Sequence, residues 1–324
     1  MGAMVESAVI ERIAARVRVR AGVALGIGDD AAALGDDPAT VVTVDLLVDG
    51  VHFRRATAGG RDLGHKALAV NLSDLAAMGA RPVAAVVGLG IPADQGAEGI
   101  DELYEGMEEL AARHGLTVAG GDVTSAPVLT IAVTAIGRMA PGVAPVRRSG
   151  GRPGNLLCVT GALGAAAAGL LLLEDPALAP DLAEAPDLIA AHRRPEPRLA
   201  AGAALAAGGA AALMDLSDGL ALDASRLARA SGLAAVIDLD ALPLAPGVAE
   251  VARAAGREPD VLAATGGDDY ELLAAIAPED LDRLAGAAGL PLTPVGRLTA
   301  GSGLRVERAG AEVALERLGW EHGA

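Results

Sequence analysis

The chain has 324 residues, 52% apolar and 21% charged, a globular composition with room for two domains and a substantial core. A formal net charge of −16 argues against non-specific binding to nucleic acid or anionic membranes. The single cysteine, Cys158, excludes an internal disulfide framework and fits a reducing cytoplasm, and the first residues carry no leader pattern. A phosphorylated ligand would need cations to approach a protein this acidic.

Ser7 to Val17 is predicted as an amphipathic helix. Gly26-Ile-Gly-Asp-Asp-Ala-Ala32 follows, with two carboxylates after two glycines. Thr40 to Leu47 is β-branched and strand-like, with Asp45 inside it. An unpaired acid buried there is costly, so Asp45 is expected to have a partner. Asp62 to Met78 is predicted helical, N-capped by Asp62 and C-capped by Gly79. Its later turns are apolar nearly all round, which implies burial, yet Asn71 and Asp74 share one face. A strand over Val83 to Val87, an acidic surface helix over Ala97 to His114, the motif Gly120-Gly121-Asp122 and a strand over Val128 to Ile136 come next. Glycines and prolines crowd between Pro141 and Gly154, which sets the expected domains at 1–148 and 149–324.

The second half opens with a strand at Asn155 to Thr160, a glycine turn at Gly161 to Gly164 and a helix to Leu173. Five prolines between Glu174 and Pro197 read as a lobe or loop outside the core. Leu199 to Met214 reads as a buried helix, a turn and a short strand ending in Asp215-Leu216-Ser217-Asp218. Ser217 or Asp218 is the expected N-cap of a helix over Leu220 to Ala230. Val236 to Leu239 is a predicted strand and Ala249 to Ala255 a helix. Gly266-Gly267-Asp268-Asp269 precedes a strand at Tyr270 to Ile276. A helix (Pro278 to Ala288), two strands (Leu292 to Leu298, Leu304 to Arg308) and a tail with Trp320 complete the chain. Leu-Ser-Asp occurs at 72 and 216, and Gly-Gly-Asp at 120 and 266, which reads as related halves or as chance.

No P-loop motif exists. Gly88 to Ala93 formally fits a dinucleotide fingerprint, but Pro92 starts a helix poorly there. Gly161 to Gly164 is a better strand–turn–helix, with a helix N-terminus free to take a phosphate. Lys66 is the only lysine, so a lysine phosphate clamp has one candidate. The histidines lie in no Ser/His/Asp context, Cys158 reads as inert core, and zinc has no ligand set. Taken singly, Asp29-Asp30 reads as well as a turn as a metal site, and Asp215-Ser217-Asp218 reads better as a cap. Asp45 and Asp74 stand among apolar neighbours and demand compensation. Together these acids point to a multi-metal site for Mg²⁺ or Mn²⁺ and to phosphate chemistry.

The motifs Gly26-Ile-Gly-Asp-Asp-Ala, Lys66-Ala-Leu-Ala-Val-Asn-Leu-Ser-Asp-Leu-Ala-Ala-Met-Gly-Ala80, Gly120-Gly-Asp, Arg148-Ser-Gly, Asp215-Leu-Ser-Asp-Gly-Leu and Gly266-Gly-Asp-Asp-Tyr-Glu-Leu272 together resemble the thiamine-monophosphate kinase family, within the aminoimidazole ribonucleotide synthetase superfamily. The resemblance implies a two-domain fold, an α/β N-terminal domain whose sheet forms the core of a homodimer and an α+β C-terminal domain. It also implies phosphorylation of thiamine monophosphate by ATP with several Mg²⁺ ions. Carried over by position, Asp30, Thr43, Val44, Asp45, Asp74, Asp122, Asp215 and Asp218 would bind metal. Tyr104, Gly121, Asp122, Arg148 and Ser217 would contact ATP, and His52, Asp268 and Trp320 the thiamine phosphate. Asp45, Asp74, Asp122 and Arg148 would carry catalysis. Val44 replaces the family's usual Thr, leaving a backbone carbonyl as its ligand atom, and Asp268 replaces a Glu. The alternatives are another ATP-using member of the superfamily, resembling aminoimidazole ribonucleotide synthetase or selenophosphate synthetase, a non-catalytic nucleotide-binding maturation factor, and an oxidoreductase using Gly161 to Gly164. Cys158 is misplaced for the reactive N-terminal cysteine expected of a selenophosphate synthetase.

Overall fold

The computed structural model describes residues 6–16, 22–35 and 39–321, so Val17 of the predicted first helix and His322 lie outside the described residues. The first half runs α1 (Glu6–Ala14), β1 (Val23–Leu25), β2 (Ala32–Leu34), β3 (Thr40–Val48), α2 (Gly60–Met78), β4 (Arg81–Ile91), α3 (Ala97–His114), β5 (Thr117–Ser125) and β6 (Thr130–Arg138). Its six strands form one sheet ordered β1-β2-β3-β6-β4-β5. Pairing is antiparallel except between β4 and β5, where α3 makes the crossover that a parallel pair needs. Along β6, Ile131, Val133 and Ala135 are buried while their neighbours are half-exposed, so helices cover only one face. The bare face carries Val44 (57% exposed), Leu46 and Val86.

The second half runs β7 (Leu156–Thr160), α4 (Ala165–Glu174), α5 (Ala185–Arg193), α6 (Leu199–Gly208), β8 (Ala212–Asp215), α7 (Leu220–Ala230), β9 (Ala234–Asp238), α8 (Val248–Ala254), α9 (Pro259–Thr265), β10 (Leu272–Ile276), α10 (Leu281–Ala288), β11 (Leu292–Thr299), β12 (Gly303–Arg308) and β13 (Ala311–Glu312). Seven strands order as β13-β12-β9-β11-β7-β10-β8, and both faces of β7, β10 and the edge strand β8 are buried. Leu213, Leu272, Ala274 and Ile276 enter a core shared with the first half, whereas Met214, Leu273 and Ala275 enter a second core with α7 and α9.

Helix α2 is the axle between the two sheets. Leu68, Leu72, Leu75 and Met78 are fully buried, as the apolar circumference of its sequence implies. It lies so close to α3 that a Cβ on Gly64 would stand 1.8 Å from the Leu103 carbonyl oxygen, and one on Gly106 would stand 1.9 Å from that of Arg61. Gly79 ends it in the left-handed conformation (φ 77°), as expected. Its N-cap is Gly59, not Asp62; Asp62 sits in the first turn and pairs instead with Arg194.

Other expectations are corrected. The proline-rich segment is no detached lobe: it contains α5, buries Leu188 and closes over α2, where Pro195 accepts a hydrogen bond from His65 (2.9 Å). Gly88 to Ile91 belong to β4, so no dinucleotide turn forms there. The first Leu-Ser-Asp lies inside α2 and the second in a strand-to-helix loop, so the echo marks no equivalent pair of elements. Neither Ser217 nor Asp218 caps α7. The buried carboxylate of Asp223 reaches back to the Asp218 and Gly219 amides (3.1 and 3.2 Å), because Gly219 occupies the N-cap.

Candidate active site

Three segments converge near the C-terminal end of α2: the Asp29-Asp30 loop ahead of β2, Asp74 from α2 itself, and Asp215 from the last residue of β8. Asp30, Asp74 and Asp215 each present a carboxylate oxygen, all within 4.8 Å of one another. These three acids, far apart in the sequence, meet here as expected. Burial pushes the Asp74 carboxyl well above the usual range, and the charges of Asp45, Asp215 and Asp30 push it further. Asp215 is raised in the same way, by burial and then by Asp30. Such a group of oxygen donors, short of positive charge, has the chemistry of a hard-cation site.

Neighbours orient each acid. The Thr43 hydroxyl donates to Asp74, with the Asp30 carbonyl oxygen 3.3 Å away. Ser73 donates to Asp215 (2.7 Å), and the Asp45 amide donates to Asn71 Oδ1 (3.0 Å), fixing β3 against α2. Arg148 forks onto Asp30, with Nε 3.2 Å and Nη2 2.6 Å from its two oxygens, while its amide donates to Asp29 (2.6 Å). Asp29 is thus a brace for Arg148. The Asp30 carboxylate, next to a guanidinium largely out of solvent, raises the pKa of Arg148 against the effect of burial. The Val44 side chain points away on the bare face, so only its backbone could serve a metal.

A second group lies alongside. Asp218 pairs with Arg226, which also holds Asp223 (3.0 Å). The Asp268 amide donates to the Ser217 carbonyl (2.8 Å), and the Trp320 amide to that of Asp218 (2.9 Å). Ser217 and Asp218 are therefore stitched to Asp268 and Trp320 through backbone. The Trp320 side chain is 51% exposed, and His52, after β3, accepts at Nδ1 from the Val48 amide (3.1 Å).

Asp122 does not join the acids. It lies exposed on edge strand β5, three strands from β3. The row Leu46, Ala132, Gly88, Asp122 places its side chain on the bare face, whereas the Asp45 row faces the helices. Gly121 adjoins it, and Tyr104 is half-buried on α3.

The N-terminus of α4 is not free for phosphate either: Asp269 already accepts from the Gly164 amide at 3.0 Å. Cys158 is buried in β7 with its thiol pushed up to about 12 by burial, an inert core residue as expected. Sequence reasoning placed Asn71 on one face with Asp74 but missed Ser73, Asp223, Arg226 and Tyr270 as supports. Of the missed residues, Ser73 was signalled by polarity on an otherwise apolar helix.

Two family models match, the AIR synthase related protein N-terminal domain over residues 28–139 and the corresponding C-terminal domain over 152–308. A thiamine-monophosphate kinase of Mycobacterium tuberculosis is 43% identical over 277 residues, covering 83% of this chain and 80% of its own. The Escherichia coli K12 thiamine-monophosphate kinase is 38% identical and covers 98% of each chain. A solved structure of AaThiL complexed with AMPPCP and TMP superposes with a TM-score of 0.86 at 31% identity, covering 98% of this chain and 97% of that one. The chain belongs to the AIR synthase related family, and within it to the thiamine-monophosphate kinases.

Proposed function

We propose that this protein transfers the γ-phosphoryl group of ATP to the phosphate of thiamine monophosphate, releasing ADP and thiamine diphosphate. The observation that carries this reading is the meeting of Asp30, Asp74 and Asp215 in a chain of this family. An oxygen of the acceptor phosphate attacks the γ-phosphorus, and the bond to the bridging oxygen of ADP breaks. A phosphate monoester is already anionic at neutral pH, so no strong base is required; the barrier is the approach of two polyanions.

The donor set fits Mg²⁺, which takes carboxylates together with phosphate oxygens and water. When bound, magnesium supplies the positive charge that lets the two anions meet. Asp30, Asp74 and Asp215 would hold it at the centre, with Asp45, Thr43, the Val44 carbonyl and Asp218 at the margins. Arg148 neutralises Asp30 in the present arrangement; a cation taking over that charge would leave its guanidinium available to nucleotide phosphate. Ser217, Tyr104, Gly121 and Asp122 complete the proposed nucleotide contacts, and His52, Asp268 and Trp320 those to the acceptor. The Trp320 face suits the cationic thiazolium.

A second copy of this chain is the proposed partner. It would cover the apolar bare face formed by Val44, Leu46 and Val86. Asp122 shares that face, so the homodimer is assigned the task of completing the nucleotide site. Residues 1–148 and 149–324 are the proposed domains. Among the described residues no helix is long and apolar enough to cross a membrane, and a cytoplasmic location is proposed from composition.

Incubation with Mg-ATP and thiamine monophosphate, followed by ³¹P NMR, tests the reading. New diphosphate resonances distinct from ADP, absent when EDTA is added, are expected. ATP left intact in the presence of acceptor and metal would overturn it.

A further inference from the structure

Lys66, the only lysine of the chain, is not placed as a phosphate clamp. It rises from α2 with its side chain 5% exposed, and its ammonium lies 2.7 Å from Asp268 Oδ2 and 3.1 Å from the His192 carbonyl oxygen. The other Asp268 oxygen accepts from the Tyr270 hydroxyl at 3.1 Å. Each carboxylate oxygen thus keeps acceptor capacity, and the Asp268 side chain is 32% exposed on its remaining side.

The loop is held in a costly shape. Asp268 and Tyr270 have φ of 68° and 48°, both in the left-handed region that non-glycine residues avoid. Backbone bonds from Asp268 to Ser217 (2.8 Å) and from Tyr270 to Leu216 (2.9 Å) fix it, and Asp269 between them is tied to the Gly164 amide. Burial raises the Asp268 carboxyl, but Lys66, together with His192 and the Tyr270 hydroxyl, outweighs it and holds the group below its ordinary range. A fixed carboxylate repels phosphate and attracts N–H donors.

We infer that Lys66 is a positioning residue that orients Asp268 to accept a hydrogen bond from the amino-heterocycle of the acceptor, and that Lys66 contributes nothing to holding its phosphate. This rests on the proposed placement of the acceptor beside Asp268.

Calorimetric titration of thiamine and of thiamine monophosphate into the intact protein separates the possibilities. The set is wild type, Lys66→Met, Lys66→Arg, Asp268→Asn and the Lys66→Met/Asp268→Asn pair. Lys66→Met is expected to weaken both ligands by the same factor, about 10- to 100-fold, as loss of a charge-assisted hydrogen bond implies. The KM for Mg-ATP should not move, Lys66→Arg should recover part of the loss, and the double variant should bind no worse than Asp268→Asn. Asp268→Asn keeps Lys66 in place, so its equal loss of both ligands is informative even if Lys66→Met folds poorly. Loss of thiamine monophosphate with thiamine binding retained would make Lys66 a phosphate ligand and overturn the inference. So would unchanged binding of both ligands in Asp268→Asn. A wild type that binds neither ligand would overturn the acceptor assignment itself.

Discussion

Asp74 and Asp215 reach the same point from a buried helix and from the end of a buried strand, with carboxylate oxygens within 4.8 Å. Like charges brought so close out of water oppose folding unless a cation or a proton intervenes. Replacing Asp74 by Asn keeps an acceptor for Thr43 and removes the repulsion. Without metal, Asp74→Asn and Asp215→Asn should each raise unfolding stability in urea by on the order of 1–3 kcal/mol. Both should lose turnover. A fall in metal-free stability would contradict this account of the pair.

Arg148 and Asp30 make the opposite case. Arg148→Met leaves Asp30 buried with no counter-charge, and the expected loss is about 3 kcal/mol in metal-free buffer. Magnesium should restore a larger share of stability to the variant than it adds to the wild type. Urea denaturation with and without magnesium measures both quantities, and a metal response no greater than that of the wild type would refute the pairing.

His192 makes the protein sensitive to acid. Burial, and then the charge of Lys66, hold its imidazole down at about 4, against an ordinary value of 6.5. Between those values the unfolded chain binds a proton that the folded chain refuses. Stability is therefore full above about pH 6.5 and falls as the pH drops toward 4, by up to about 3 kcal/mol from this residue. Protonation of Asp74 and Asp215 acts in the other direction, so the contribution is read by difference. His192→Gln should show a smaller decline between pH 7 and pH 5 than the wild type in parallel urea titrations.

Asp122 gives a test of the proposed homodimer. If one copy supplies Asp122 to the acids of the other, mixing inactive Asp122→Ala with inactive Asp74→Asn should restore part of the turnover once subunits exchange. A monomeric protein in light scattering, or no recovery from mixed dimers, would count against it.

Much of this arrangement was legible because its signals are local. The acidic face over Ala97 to His114 and the following Gly115 define α3 with its observed ends. An apolar helix carrying Asn71, Ser73 and Asp74 announces burial together with chemistry. The short elements β1, β2, α9 and β13 carry too few residues for a period to show. Long-range placement was also hidden. Lys66 meets Asp268 202 positions later, and α5 meets α2 through the His192 carbonyl, a contact with no counterpart in local pattern. Asp122 has the right chemistry for a ligand, but strand order and pleat decide its face, and neither is written in the motif.

The most direct measurement is anomalous diffraction from crystals grown with Mn²⁺ and a non-hydrolysable ATP analogue. The expected result is a manganese peak about 2.2 Å from carboxylate oxygens of Asp30, Asp74 and Asp215. Manganese bound elsewhere, with those three acids still facing one another around water alone, would contradict the claim that they gather to hold the cation for phosphoryl transfer.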